Sequence, residues 1–225
     1  MAVGFRLWPA STDAAVGRRL LLLRVFGYQR RIERLFDAIA QRWRLSGGVK
    51  LIAPADLATR IVDPADVVAF MGGRMRDRFV AGPSDLGRHL ARIDDTPDPD
   101  GRYRIDKFFC RDDTWQPLLR SLLDRSDVVL FDLRGFTPAN SGCRLELGQL
   151  AGKGLLPRTV MVVDGSTDIA HLRTVLAEAA GGLDWERATA GPSGAMLIEQ
   201  VRPRSALDLE RVRRRLTEAA SAPRA

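Results

Sequence analysis

The sequence predicts an α/β fold: a doubly wound, mostly parallel sheet of five or six strands with helices on both faces. Three observations predict it. Short apolar runs alternate along the chain with segments of helical periodicity, a pattern that implies right-handed strand–helix–strand crossovers. Two of the runs, Asp127–Leu133 and Thr159–Val163, are largely apolar and read as buried strands. The chain of 225 residues also carries no linker that would divide it into halves able to fold alone.

Each element follows from its residues. Leu20–Phe26 is the first strand, an apolar run that holds Arg24 and ends at Gly27. Ile32, Leu35, Phe36, Ile39, Ala40 and Trp43 follow at helical spacing, with arginines on the opposite face and Gly47-Gly48 as the stop. Val49–Ala53 is the second strand. Asp63-Pro64 opens a helix as cap and first residue, with Val67, Val68, Met71, Met75 and Phe79 on its apolar face. Residues 81–104 gather Gly82-Pro83, Pro97, Pro99 and Gly101 among acids, which predicts an irregular insertion with one short helical piece near Leu86–Ile93. Ile105–Cys110 is the third strand. Asp113 and Gln116 have capping-box spacing, Pro117 fits the first turn, and Leu118, Leu119, Leu122 and Leu123 face the core. Strands four and five are the two runs named above. Asp168–Ala180 is a helix through Ile169, Leu172, Val175, Leu176 and Ala179. Ala195–Val201 is the last strand, and Ser205 with Asp208 caps a final helix whose Ala-rich tail is expected to fray.

The organisation expected is an irregular segment over residues 1–17 and one flavodoxin-like domain over 18–220. If the strand order is 2-1-3-4-5, the ligand crevice opens over the carboxyl ends of strands one and three. Gly27, Tyr28, Cys110, Arg111, Asp113, Trp115 and Arg134 would then wall it.

Composition narrows the function classes. The formal charge is +7, carried almost wholly by Arg; Lys50, Lys107 and Lys153 are the only lysines. The arginines are spread along the chain with no aromatic-interleaved basic stripe, so nucleic-acid binding is a weak third option. Cys110 and Cys143 make neither a disulfide framework nor, with His89 and His171 far apart in sequence, a structural zinc site. The apolar run Leu20–Leu23 is far short of a membrane span, and Arg18, Arg19 and Arg24 bracket it so closely that it does not read as a signal peptide. A reduced, cytoplasmic setting is the expectation, with no cofactor. His89 and His171 are expected to be solvated.

The chemistry is concentrated after strand four, in Asp132-Leu-Arg-Gly-Phe-Thr-Pro-Ala-Asn140-Ser-Gly-Cys-Arg-Leu-Glu146-Leu-Gly148. A Gly/Pro/Asn loop crosses the sheet edge, and a helix opens at Asn140 or Ser141, either a good N-cap. Glu146 falls in the second turn among Leu145, Leu147 and Leu150, where burial without a partner is costly, so it should reach the crevice or meet a counter-charge. Cys143 sits at the helix N-terminus, where a thiolate is favoured, but no histidine accompanies it in sequence. Arg30, Arg111 and Arg134 could hold phosphates and Tyr28 or Trp115 could stack on a base; Trp115 and Phe136 also read as lids on the core.

Ser141-Gly-Cys143-Arg-Leu-Glu146-Leu147 resembles the Ser-x-Trp-Cys-x-x-Glu-Leu segment of Toll/interleukin-1 receptor (TIR) domains from the cysteine onward, with Gly142 in place of Trp and Ser141 one position after the motif's serine. Gly142 through Glu146-Leu147-Gly148 also resembles the Gly-x-x-x-Glu-Leu-Gly segment of nucleoside 2-deoxyribosyltransferases, and Gly152-Lys153 fits as well. The match covers Asp127 to Gly152. Two positions depart from the patterns: Asn140 stands where the transferases carry an acid, and Val25-Phe26-Gly27-Tyr28 matches the first TIR strand only loosely. The resemblance implies a flavodoxin-like fold and a Glu146 that works on the N-glycosidic bond of NAD or a nucleoside, with Asn140 and Ser141 at the substrate. Such a carboxylate stabilises or traps the cation-like sugar. The TIR likeness adds a role in bacterial signalling with self-association. Against this stands a second expectation: a non-catalytic nucleotide-sensing or self-assembling module on the same fold.

Overall fold

The computed structural model describes residues 17–25, 31–54, 79–80, 82–110, 114–181, 185, 197–201 and 206–222. Seven parallel strands form one sheet: β1 (Leu20–Arg24), β2 (Val49–Pro54), β3 (Phe79–Val80), β4 (Ile105–Cys110), β5 (Val128–Asp132), β6 (Thr159–Val163) and β7 (Leu197–Gln200). The helices are α1 (Arg31–Trp43), α2 (Pro83–Ala91), α3 (Trp115–Arg125), α4 (Ser141–Gly152), α5 (Ile169–Ala179) and α6 (Ala206–Ala220), with a 3₁₀ turn at Leu156–Arg158. None of the described helices is long and apolar enough to cross a membrane.

The doubly wound parallel fold predicted from sequence is the one observed. Successive side chains of a strand point to opposite faces, and the sheet uses both. Leu21, Leu23, Val129, Phe131, Met161 and Val163 join one apolar cluster with the inner faces of α3, α4 and α5, and Leu86 and Leu90 of α2 pack on it. Leu20, Leu22, Val128, Leu130, Val160 and Val162 join the other with Phe36, Ile39, Ala40 and Trp43 of α1 and Val212, Leu216, Ala219 and Ala220 of α6.

The sheet order is β3-β4-β2-β1-β5-β6-β7. Within it, β2-β1-β5-β6-β7 follow the 2-1-3-4-5 pattern, and β4 and β3 are added outside β2. This corrects the place of Ile105–Cys110, which was expected beside the first strand. Two charge clusters near the amino ends of the strands join the neighbours that this order brings together. Buried Lys50 of β2 donates from Nζ to Asp106 Oδ2 of β4 at 2.5 Å and lies 2.9 Å from Asp95 Oδ1, in the insertion. Arg19, just before β1, forks onto Asp127, just before β5: the backbone N and Nε reach Oδ2 at 2.9 and 3.1 Å, and Nη2 reaches Oδ1 at 3.2 Å. The switch in strand order therefore lies between β1 and β5.

Several local expectations change. Phe79 belongs to β3 and not to a helix; residues 55–78, with the helix expected from Asp63, lie outside the described residues. The helical piece of the insertion runs from Pro83 to Ala91. The N-cap of α3 is Thr114, whose hydroxyl donates to Val80 O at 2.8 Å and so ties the helix start to β3. Asp208 of α6 is buried and accepts from Arg211 Nη2 at 2.8 Å. The described part of the α6 tail is packed: Ala219 and Ala220 are buried, and Arg158 donates to Ala222 O beyond them.

Gly47 stops α1 for a steric reason. A Cβ there would fall 1.8 Å from Arg18 O. At Gly87, inside α2, an added Cβ would meet nothing within 4 Å. Gly47→Ala is therefore expected to lower the free energy of unfolding by about 2 kcal/mol or more, and Gly87→Ala to raise it by about 0.5–1 kcal/mol through helix propensity. Urea denaturation of the two variants checks both signs.

Candidate functional site

The site is built outward from the end of β5. All five residues of this strand are buried, so its last side chain, Asp132, is carried into the interior at 0% exposure. A buried carboxylate needs donors, and the chain supplies them two residues on. Arg134 gives its backbone N–H to Oδ1 at 3.1 Å and its guanidinium to both oxygens, Nε at 2.9 and 3.1 Å and Nη2 at 2.6 Å. In register, Arg24, Asp132, Val162 and Glu199 form one row across β1, β5, β6 and β7. Glu199 in turn is bound by Arg215 Nε at 2.9 Å and lies 3.5 Å from Arg211 Nε.

The loop from 133 to 140 is held by its neighbours. Leu133 N donates to Val162 O at 2.8 Å, Thr167 Oγ1 to Leu133 O at 3.0 Å and Asp168 N to Phe136 O at 2.9 Å. Gly135 takes the left-handed conformation, φ +75°, and lets the chain turn back so that Phe136 is fully buried. The Phe136 ring stacks on His171 of α5, centroids 5.4 Å apart. Asn140 occupies the N-cap position of α4, but its side chain does not cap: Oδ1 accepts from Thr137 N at 2.8 Å and Thr137 Oγ1 at 3.1 Å. The cap is made by its backbone carbonyl, which accepts from Cys143 N at 3.1 Å.

From this fixed start α4 turns Cys143, Glu146, Leu147 and Leu150 inward, the spacing of one helical stripe. Glu146 is 2% exposed, and its Oε2 has no hydrogen-bond partner. Burial pushes its carboxyl up to about 8, so that at neutral pH the group is a carboxylic acid and not a carboxylate. The Cys143 thiol one turn earlier is pushed up as well, first by burial and then by the adjacent Glu146. It is a packed thiol and no nucleophile at neutral pH.

The expected site residues therefore separate. Arg134, Asn140, Ser141 and Glu146 share the β5–α4 unit beside β1, with Ser141 exposed as the first residue of the helix. Arg134 is engaged by Asp132 and is not poised for phosphate. Trp115 begins α3, after β4, and β2 separates that strand from β1; its side chain packs on the core as a lid. Gly27, Tyr28, Arg30, Arg111 and Asp113 lie outside the described residues. The histidines are not simply solvated: His171 stacks as above, and His89 has Nδ1 2.8 Å from Asp85 O and a buried Nε2 with no partner. The role of Asp132 was missed, although an acid closing an apolar run is the signal that could have found it. Among the described residues no cluster of His, Cys, Asp and Glu could hold a metal ion. No protein-family model, curated protein or solved structure matches the chain.

The raised value at Glu146 has a consequence for stability. Below about pH 4.5 both folded and unfolded chains hold the proton, and burial carries no charge penalty. Between 4.5 and about 8 only the unfolded chain ionises, so stability falls as pH rises, by at most roughly 5 kcal/mol, and levels off above 8. Glu146→Gln removes this slope. Urea midpoints at pH 5 and pH 9 should converge for the variant and diverge for the wild type; parallel behaviour of the two proteins would contradict the assignment.

Proposed function

We propose that this chain binds a nucleotide or nucleoside at the carboxyl edge of the sheet, where β1 and β5 meet, and cleaves or transfers its N-glycosidic bond with Glu146. The observation that carries this reading is the buried carboxyl with no hydrogen-bond partner on Oε2. Leu at 146 would bury at a gain, whereas an unpartnered acid costs stability, which is the mark of a side chain kept for chemistry. Its position supports the same reading. In open parallel sheets ligands collect where the strand order reverses, outside the carboxyl ends; here that point is the β1–β5 junction, and α4 starts from it. The likeness of Ser141 through Gly148 to the TIR and deoxyribosyltransferase segments adds the bond type, and NAD or a nucleoside as substrate. Two buried free thiols fit a reducing, cytoplasmic setting, and self-association in bacterial signalling belongs to this reading by analogy alone.

One observation favours a second reading, a non-catalytic nucleotide-sensing or self-assembling module. The guanidinium of Arg134, the expected phosphate ligand, is committed to Asp132.

Incubation with NAD and with a panel of deoxynucleosides, followed by chromatography for free base, separates the two. Release that is lost in Glu146→Gln is the expected result. Tight binding with no release supports the sensing module and rules out turnover.

A further inference from the structure

We infer that the cavity between the last turn of α2 and the amino half of β4 is a second ligand site, and that its ligand is a free hydrogen phosphate ion. The inference does not depend on the glycosidic reading, because β2 stands between β4 and β1 and separates this cavity from the β1–β5 junction.

The cavity has a volume of about 150 Å³, and its wall includes His89 and Arg92 at the end of α2 and Asp106 and Lys107 of β4. One water needs only about 10–15 Å³, so a tetrahedral ion has room. Basic residues outnumber acidic ones in this wall by three to one, and Asp106 already accepts from the buried Lys50 Nζ at 2.5 Å. The lining therefore favours an anion. The fork of Arg92 suits a tetrahedral oxyanion, and Lys107 adds a point charge. Both side chains have other contacts, but each carries several N–H donors, so an ion can share them.

His89 selects among anions. Its Nδ1 lies 2.8 Å from Asp85 O, and a carbonyl oxygen only accepts, so Nδ1 carries the ring hydrogen. In the neutral ring Nε2 is then a bare acceptor. That atom is buried with no hydrogen-bond partner, a costly state, and the ring is part of the cavity wall. An ion that brings its own hydrogen answers the need. Hydrogen phosphate has a hydroxyl to donate to Nε2 while its charged oxygens meet Arg92 and Lys107. Sulfate has the same shape and no hydrogen to give.

Calorimetric titration at about pH 8 and low ionic strength tests this with sodium phosphate, sodium sulfate and glycerol phosphate, a monoester that has lost its last hydroxyl hydrogen there. Phosphate should saturate one site per chain and bind at least about tenfold more tightly than the other two ions, the worth of one hydrogen bond to a charged group. His89→Ala should erase that preference, and Arg92→Ala should weaken all three ions. Arg214→Ala, on α6 across the sheet, should change nothing. Sulfate or the monoester binding as tightly as phosphate overturns the inference, and so does a titration without saturation. An equal loss in Arg214→Ala also overturns it, since that marks diffuse attraction to a chain of net charge +7. Should the His89 variant not fold, the wild type decides, because ¹⁵N ring spectra need to separate only two histidines. Phosphate should move the His89 Nε2 resonance and leave His171 in place; a His89 resonance that stays still overturns the inference.

Discussion

The structure depends on the complete burial of β5. Flanked by β1 and β6 and covered on both faces, this strand leaves no polar atom in contact with water. Its backbone is satisfied by the sheet, but its one charged side chain is not, and the way the chain answers that need shapes the site. Asp132 draws back Arg134, the turn at Gly135 follows, and Phe136 drops into the core against His171. With the loop fixed at those points, and again by Thr167 and Asp168 from the next strand–helix connection, the start of α4 has little freedom. The inward stripe of that helix, Glu146 included, follows from where it starts.

Two buried acids of opposite environment, Asp132 and Glu146, thus sit fourteen residues apart in the chain. Asp132 is saturated with donors and serves the architecture. Glu146 has an oxygen with none and is held neutral by the apolar groups around it. The contrast lies in environment alone, since the two groups are the same functional group, and it is the kind of difference by which proteins assign distinct duties to carboxyls. A folded chain gains nothing from the second arrangement, which is why it directs attention to function.

Much of this was legible in the sequence. The apolar run of β5, the Gly/Pro/Asn loop and the start of α4 within a residue of Asn140 follow from local pattern, and helical spacing alone put Glu146 beside Leu147 and Leu150. The strand order was not legible, because neighbouring strands meet through residues far apart in the chain, such as Lys50 with Asp106 and Arg19 with Asp127. Neither pair leaves a mark in any short window. Side-chain commitment was equally hidden. Asn140 is a good helix cap by type, yet its oxygen serves Thr137; Arg134 is a good phosphate ligand by type, yet Asp132 holds it. Sequence fixes which groups are present near an edge, and only the folded chain decides which of them are already in use.

The central claim is that the Glu146 carboxyl rests protonated inside the fold. Infrared difference spectra of ¹³C-glutamate-labelled protein, wild type minus Glu146→Gln, observe that group alone. A protonated carbonyl band that persists at neutral pH and titrates near 8 is the result the account predicts. Carboxylate bands at neutral pH, with the protonated form emerging only near the ordinary 4.5, would contradict it.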